Sequence, residues 1–130
     1  MKHSIYHWIT EELLFTADIK CGDGAWSDVK RGLSAFWAIE NNISLEGADL
    51  RNANLDDADL RGAYFRGANL NGASLKRANL EDADLQYSNL QDADLEGANF
   101  WGADLRGANL EGVNSQGASL WGADLRGAHL

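Results

Sequence analysis

The sequence predicts an all-β solenoid: a coil with four sides of five residues, preceded by a hairpin and a helix that cap its N-terminal end. Three observations carry this. All but one of the positions spaced five apart from 45 to 130 are apolar. The eight residues WGADLRGA stand at 101–108 and again, twenty residues on, at 121–128. The first forty residues lack this beat and end in a stretch with helical spacing.

Of the eighteen positions in the five-residue series, fifteen are leucine, Phe65 and Phe100 take two, and Ser115 is the exception. Two residues before each centre stands alanine, except at Ile43, Ser88 and Val113. Between them is Asp or Asn, with departures at Ser44, Tyr64, Ser74, Ser119 and His129. Two residues after the centre, glycine fills eleven of seventeen places.

A period of five suits neither regular element. On a helix the apolar positions would wander around every side, and a long strand alternates every second residue. The period suits a short extended segment followed by a corner. Within Ala-Asp-Leu, alanine and leucine share one face and the Asp takes the other. The next two residues turn the chain, and glycine there supplies positive φ or room. Asn52 tolerates the same conformation. Arg77 and Tyr87 resist it, so corners of another type are expected at some places.

Segments that always turn the same way must close into a coil. Stacked coils pair backbone with backbone about 4.8 Å apart. Each buried leucine contributes about 1.5–3 kcal/mol, against about 1–2 kcal/mol for ordering each residue, so one coil alone is unstable and stacking supplies the surplus. The period alone does not fix the number of sides; the twenty-residue echo suggests four, which would put positions twenty apart directly above one another. Leu45, Phe65, Leu85, Leu105 and Leu125 then form one interior ladder.

The run ADLRNANLDDADLRGAYFRGANL at 48–70 resembles the pentapeptide-repeat family, whose pattern is A(D/N)LXX. The resemblance covers 43–130, about two thirds of the chain. It implies a right-handed, four-sided β-helix of about four and a half coils, roughly 20 Å long at the strand spacing. It is specific for fold and says little about function.

Four sides define outer columns. Ser44, Tyr64, Asp84, Asp104 and Asp124 share a face with Glu46, Arg66, Gln86, Arg106 and Arg126. Asp104 should meet Arg106, and Asp124 should meet Arg126; exposed pairs of this kind are worth about 0–1 kcal/mol each. A cation could bridge the stacked carboxylates, but the neighbouring arginines disfavour it. A second column, Asp56, Lys76, Glu96 and Gln116, mixes signs and reads as a solvated face. A third runs Arg61, Glu81, Trp101, Trp121. Two outward tryptophans one coil apart read as an interface hot spot, as a duplication that copied one harmless tryptophan, or as both. At the Ser115 centre, the larger Val113 is expected to compensate for the missing leucine volume.

The chain divides at 42 into a cap and the repeat of 43–130. HSIYHWI and LLFTADI read as hairpin strands joined by Thr10-Glu11-Glu12, followed by a loop from Cys21 to Trp26. A helix follows over 27–42, with Ser27 as N-cap, Val29, Leu33, Phe36 and Trp37 on its apolar face, and Asn41 and Asn42 as stop residues. This segment covers the unpaired end of the first coil. At the other end the pattern runs to Leu130. Docking on another copy, a chain cut short and a final coil that tolerates exposure all fit. The resemblance implies the first, because some family members pair end to end. A homodimer through Leu110, Leu120, Leu125 and Leu130 is therefore favoured.

The net charge of −9 tells against direct binding to nucleic acid or to an anionic membrane. No apolar run approaches the length of a membrane span, and a single cysteine, Cys21, suits the cytoplasm. No catalytic constellation is visible, and no metal or cofactor is expected. His3, His7 and His129 lack ligand spacing. CGDG at 21–24 lacks the spacing and lysine of a phosphate loop.

The expected function is therefore a non-catalytic protein-binding scaffold, with Trp101, Trp121, Asp104, Arg106, Asp124 and Arg126 as candidate contacts. The resemblance implies a second reading. The quinolone-resistance members resemble duplex DNA in width and charge and bind DNA gyrase. This repeat is shorter, lacks their protruding loops, and dilutes fourteen acids with seven bases. A third reading is a passive accessory protein of a mobile element.

Overall fold

The computed structural model describes residues 2–6, 13–18 and 27–130. Strand β1 (Lys2–Tyr6) pairs antiparallel with β2 (Leu13–Asp18), from Lys2↔Asp18 to Tyr6↔Leu13, with an irregularity between Ile5 and Tyr6. Helix α1 spans Ser27–Glu40. The remaining residues of HSIYHWI and LLFTADI, 7–9 and 19, lie outside the described residues. The connection at Thr10-Glu11-Glu12, His7 and the Cys21–Trp26 segment lie outside the described residues.

From 43 onward the chain coils with a turn at every fifth residue. Parallel bridges join residues twenty apart, such as Tyr64↔Asp84 and Asp84↔Asp104. The coil is therefore four-sided, and the columns written from the sequence are physical ladders.

The side at 83–87 shows why this backbone is stable. The Leu85 and Tyr87 N–H groups donate to Asp104 and Arg106 carbonyls on the next coil, at 2.8 and 2.9 Å. The Asp84 N–H donates back to Ala63 at 3.0 Å, and the Ala83 N–H closes the corner on Leu80 at 3.0 Å. The fifth donor, Gln86 N–H, points at neither coil. It donates to the Asp84 carboxylate at 3.1 Å. That bond recurs along the repeat, for example Glu81 to Asn79 and Trp101 to Asn99, both at 3.1 Å. The Asp or Asn before each leucine is thus an Asx turn that satisfies a donor the solenoid leaves over. Where Ser74 replaces it, Asp56 of the preceding coil accepts from the Lys76 N–H instead, at 3.0 Å.

The corners correct one expectation. Arg77 and Tyr87 adopt φ of 55° and 57°, beside 65–72° at glycine corners such as Gly62 and Gly122. With a closing hydrogen bond and positive φ only at the third residue, every corner follows the φ pattern of a type II turn. The steric cost is real, but a different corner would break the ladder on both neighbouring coils. Cross-coil contacts offset it. Arg77 forks onto Asp57 at 2.7 and 2.9 Å. The Tyr87 ring lies over Gly107, where a Cβ would sit 2.6 Å from Cδ1.

Inside, the leucines and alanines form one continuous core running from Ile5 and the Ala35–Ala38 face of α1 to Leu110. Leu45, Phe65, Leu85 and Leu105 are buried, and Leu125 is half-buried. Val113 is half-buried and Ser115 exposed on the last coil, where both help to line an apolar cavity of about 70 Å³ with Leu110, Leu120 and Leu130.

The N-terminal elements take the place of a preceding coil. The Asp49 N–H donates to the Tyr6 carbonyl at 2.9 Å, so β1 extends the ladder above the first coil. Arg31 of α1 donates to the Arg51 carbonyl at 3.1 Å. Leu33, Phe36 and Trp37 are half-buried, and Val29 lies in the first turn, where side chains are outside the described residues. The helix ends at Glu40 in a Schellman motif. Asn42 has φ of 55°, Ile43 N–H donates to Ala38 at 2.8 Å, and Asn42 N–H to Ile39 at 3.1 Å.

Gly32 is buried where α1 crosses the first coil, and a Cβ there would collide with the Asn54 carbonyl oxygen. Helix propensity alone favours Gly32→Ala by about 1 kcal/mol. The collision is with backbone, so we expect the substitution to destabilise by about 1–3 kcal/mol, seen as a lower urea midpoint. At Gly62 a Cβ meets nothing within 4 Å. Gly62→Ala should cost only its left-handed strain, about 1–2 kcal/mol by the same measurement.

Candidate functional site

The outer faces differ in how fully their side chains are engaged. On the Leu45–Leu125 face, Arg106 Nε donates to Asp104 at 2.8 Å, and Arg126 Nε to Asp124 at 2.9 Å. Both arginines add a second bond, so each pair is a fork. Arg106 also lies 3.7 Å from Asp124, which links the two coils. The hydrogen bond from Arg126 holds the Asp124 carboxyl down at about 2. The equivalent bond from Arg106 lowers Asp104, and Asp104 raises Arg106. These four charges largely satisfy one another.

The same holds for most other cations. Arg51 pairs with Asp49 and Arg61 with Asp59, at 2.7 and 2.6 Å. Burial pushes the Asp49 carboxyl up, but Arg51 and Arg31 together outweigh it and hold it below the usual range. Lys76 reaches Asp94 at 3.1 Å and Glu96 at 3.8 Å. Arg66 lies 5.5 Å from the centre of the Tyr87 ring.

The face carrying Leu60, Leu80, Phe100 and Leu120 is different. Trp101 and Trp121 stack on one another, with ring centres 5.6 Å apart and planes at 22°. They remain 43% and 71% exposed. The ladder sets their spacing, because residues twenty apart sit one coil apart. Beside Trp101, Asn99 accepts from its N–H and donates to Asn79 at 3.1 Å, so the neighbouring amide column is occupied. Glu81 and Asp82 flank the tryptophans on the preceding coil. The Asp82 carboxylate lies over Gly102, against the corner that follows Trp101.

Leu110, Leu120, Leu125 and Leu130 border the last coil. Leu110 is buried, Leu125 half-buried, Leu120 40% exposed and Leu130 86% exposed. His3 lies in β1 and His129 is exposed on the last coil, far apart along the solenoid. Among the described residues, no three His, Cys, Asp or Glu side chains are placed to hold a metal ion. Nor is any helix among the described residues long and apolar enough to cross a membrane.

The family model described as "pentapeptide repeats (8 copies)" matches residues 43–82, 63–102, 73–112 and 103–130. The chain belongs to the pentapeptide-repeat family. Solved pentapeptide-repeat structures resemble it. Rfr23 from the cyanobacterium Cyanothece is 39% identical over 62% of this chain and 59% of its own, with a TM-score of 0.41. A pentapeptide-repeat protein of the Arabidopsis thaliana thylakoid lumen is 30% identical over 62% of this chain and 63% of its own, with a TM-score of 0.44. QnrB1, a plasmid-mediated fluoroquinolone resistance protein, is 24% identical over 64% of this chain and 48% of its own, with a TM-score of 0.33. The match spans about three fifths of the length of the first two of these proteins. The comparison with curated proteins found no match.

Within the pentapeptide repeat, sequence reasoning placed the tryptophans in one column but gave no reason to single out Glu81 and Asp82. The available signal was local: Arg61 has Asp59 two residues before it, so the fork is made within one side and Glu81 is left over.

The Asp124–Arg126 fork has a pH consequence. The folded carboxyl lies below its ordinary 3.8, so the pairing contributes stability above that value and loses it as pH falls toward 2. Carboxyl NMR should give Asp124 a midpoint near 2, and Arg126→Gln should move it toward 3.8.

Proposed function

We propose that this chain is a non-catalytic scaffold that binds a protein partner through the face bearing Trp101 and Trp121. The observation that carries this reading is the exposed, stacked tryptophan pair. Large rigid aromatics that stay open to solvent on an ordered ladder are the side chains most enriched at interface hot spots. The Asp104–Arg106 and Asp124–Arg126 forks border this face and serve as its polar rim. In this reading residues 1–42 cap a binding body formed by 43–130. The protein acts in the cytoplasm, which a single cysteine suits. Two copies meet through the apolar surface around Leu120, Leu125 and Leu130.

A second reading, an acidic mimic of DNA directed at gyrase or another DNA-binding enzyme, draws its support from the net charge of −9. The distribution of that charge favours it less. Six of the seven bases in the repeat are locked in ion pairs. The carboxylates outside those pairs, including Glu46, Glu81, Asp82, Asp92 and Glu111, occupy different sides rather than two parallel stripes.

Capture from bacterial lysate at low and high salt, with the Trp101→Ala/Trp121→Ala variant beside the parent, separates these readings. We expect a partner retained at high salt and lost in the double variant, whose thermal midpoint stays close to the parent's. A catch that disappears with salt and ignores the tryptophans would replace the scaffold reading with mimicry. An empty catch from folded protein would leave the passive accessory role.

A further inference from the structure

Resting on the scaffold reading, we propose that the Trp101–Trp121 face recognises an arginine-bearing segment of its protein partner. The tryptophans stack on each other and stay open to solvent. The column they belong to continues upward through Glu81 to Arg61, and Arg61 is held by Asp59 at 2.6 Å. Among the described residues Glu81 and Asp82 therefore form no salt bridge, and Glu81 feels Arg61 only at longer range. Asp82 is exposed and held over Gly102, next to Trp101. The indole Nε1 of Trp101 lies over the next corner, at Gly122. The backbone of Glu81 and Asp82 thus runs one coil, ~4.8 Å, from that of Trp101 and Gly102.

That combination selects a cation, and a planar one. Indole attracts a cation over its face. A carboxylate one rung away takes the hydrogen bonds of the same group. Guanidinium does both at once, because it lies flat on an aromatic ring while its edge forks onto a carboxylate; ammonium presents one compact charge and does neither as well. The chain's own arginines are taken by Asp49, Asp57, Asp59, Asp104, Asp124 and the Tyr87 ring. Arg61 alone among them feels the Glu81 charge, from one coil away, while its guanidinium hydrogen bonds go to Asp59. The neighbouring amides of Asn79 and Asn99 are bonded to each other and to backbone, which leaves the carboxylates and indoles as its recognition groups.

The test uses the full chain and a blocked hexapeptide, Gly-Arg-Gly-Arg-Gly-Arg, as probe. The Trp101 and Trp121 indole N–H resonances are followed by NMR. Peptides with lysine or with neutral citrulline in place of arginine serve as comparisons. We expect saturable shifts of both indoles with the arginine peptide, binding about five-fold weaker or less with lysine, and none with citrulline. Glu81→Gln/Asp82→Asn should weaken the arginine peptide about five-fold, whereas Glu46→Gln/Glu111→Gln, an equal change of net charge elsewhere, should not. Equal binding of lysine and arginine peptides, or equal loss in the two charge variants, would reduce the effect to overall charge and overturn the proposal. So would absence of saturable shifts in the parent protein, a result that needs no variant to fold. If a partner is still lost from capture when Trp101 and Trp121 are removed, the scaffold reading survives that failure. If capture also ignores the tryptophans, both fall.

Discussion

Each side of the coil carries five backbone N–H groups, and every one needs an acceptor. In the interior of the repeat, two go to the next coil, one to the previous coil and one closes the corner. The fifth has nowhere to go in the backbone. It is met by the side chain of the Asp or Asn before the leucine. Remove that acceptor and the donor is left to solvent; remove the positive φ at the corner and the ladder loses its closing bond. The repeat is the shortest solution in which a leucine points inward, an Asx turn caps the side and a left-handed residue turns the chain.

This accounting changes how the acidic composition should be understood. An acid before the leucine is first a hydrogen-bond acceptor, and Asp84, Asp94, Asp104 and Asp124 all serve in that way. Where arginine follows two residues later, the same carboxylate also takes the guanidinium. The charge that remains for recognition is smaller than the net value suggests. It is spread over several sides, and at Glu81 and Asp82 it falls beside the tryptophans. A composition that looks like a functional signature is in large part the chemistry of the scaffold.

The fold was legible because its signal is periodic. A beat of five fixes which residue faces inward, and an echo at twenty fixes which residues stack. Hence the interior ladder from Leu45 to Leu125, the Asp104–Arg106 and Asp124–Arg126 pairs and the Trp101–Trp121 column could all be written from the chain alone. The end of the helix was legible too, since Asn41 and Asn42 carry the stop signal that the Schellman motif uses. What failed was reasoning from one residue's preference. Arg77 and Tyr87 avoid positive φ in isolation, yet the ladder on both sides holds them there.

The sequence by itself determined the five-residue period and, through its echo at twenty, suggested the columns, while the family resemblance supplied the four-sided coil, because a recurrence shows which residues are equivalent and not how many sides close. Tertiary structure alone decided whether neighbours in a column touch, and how. It stacked Trp101 on Trp121, laid Tyr87 over Gly107, gave the Arg61 salt bridge to Asp59 rather than to Glu81, and brought the Gly32 turn of α1 against the Asn54 carbonyl. Such contacts depend on rotamers and on the approach of a non-repeating helix. Neither is encoded in an interval, and both are set only when the coils are packed together.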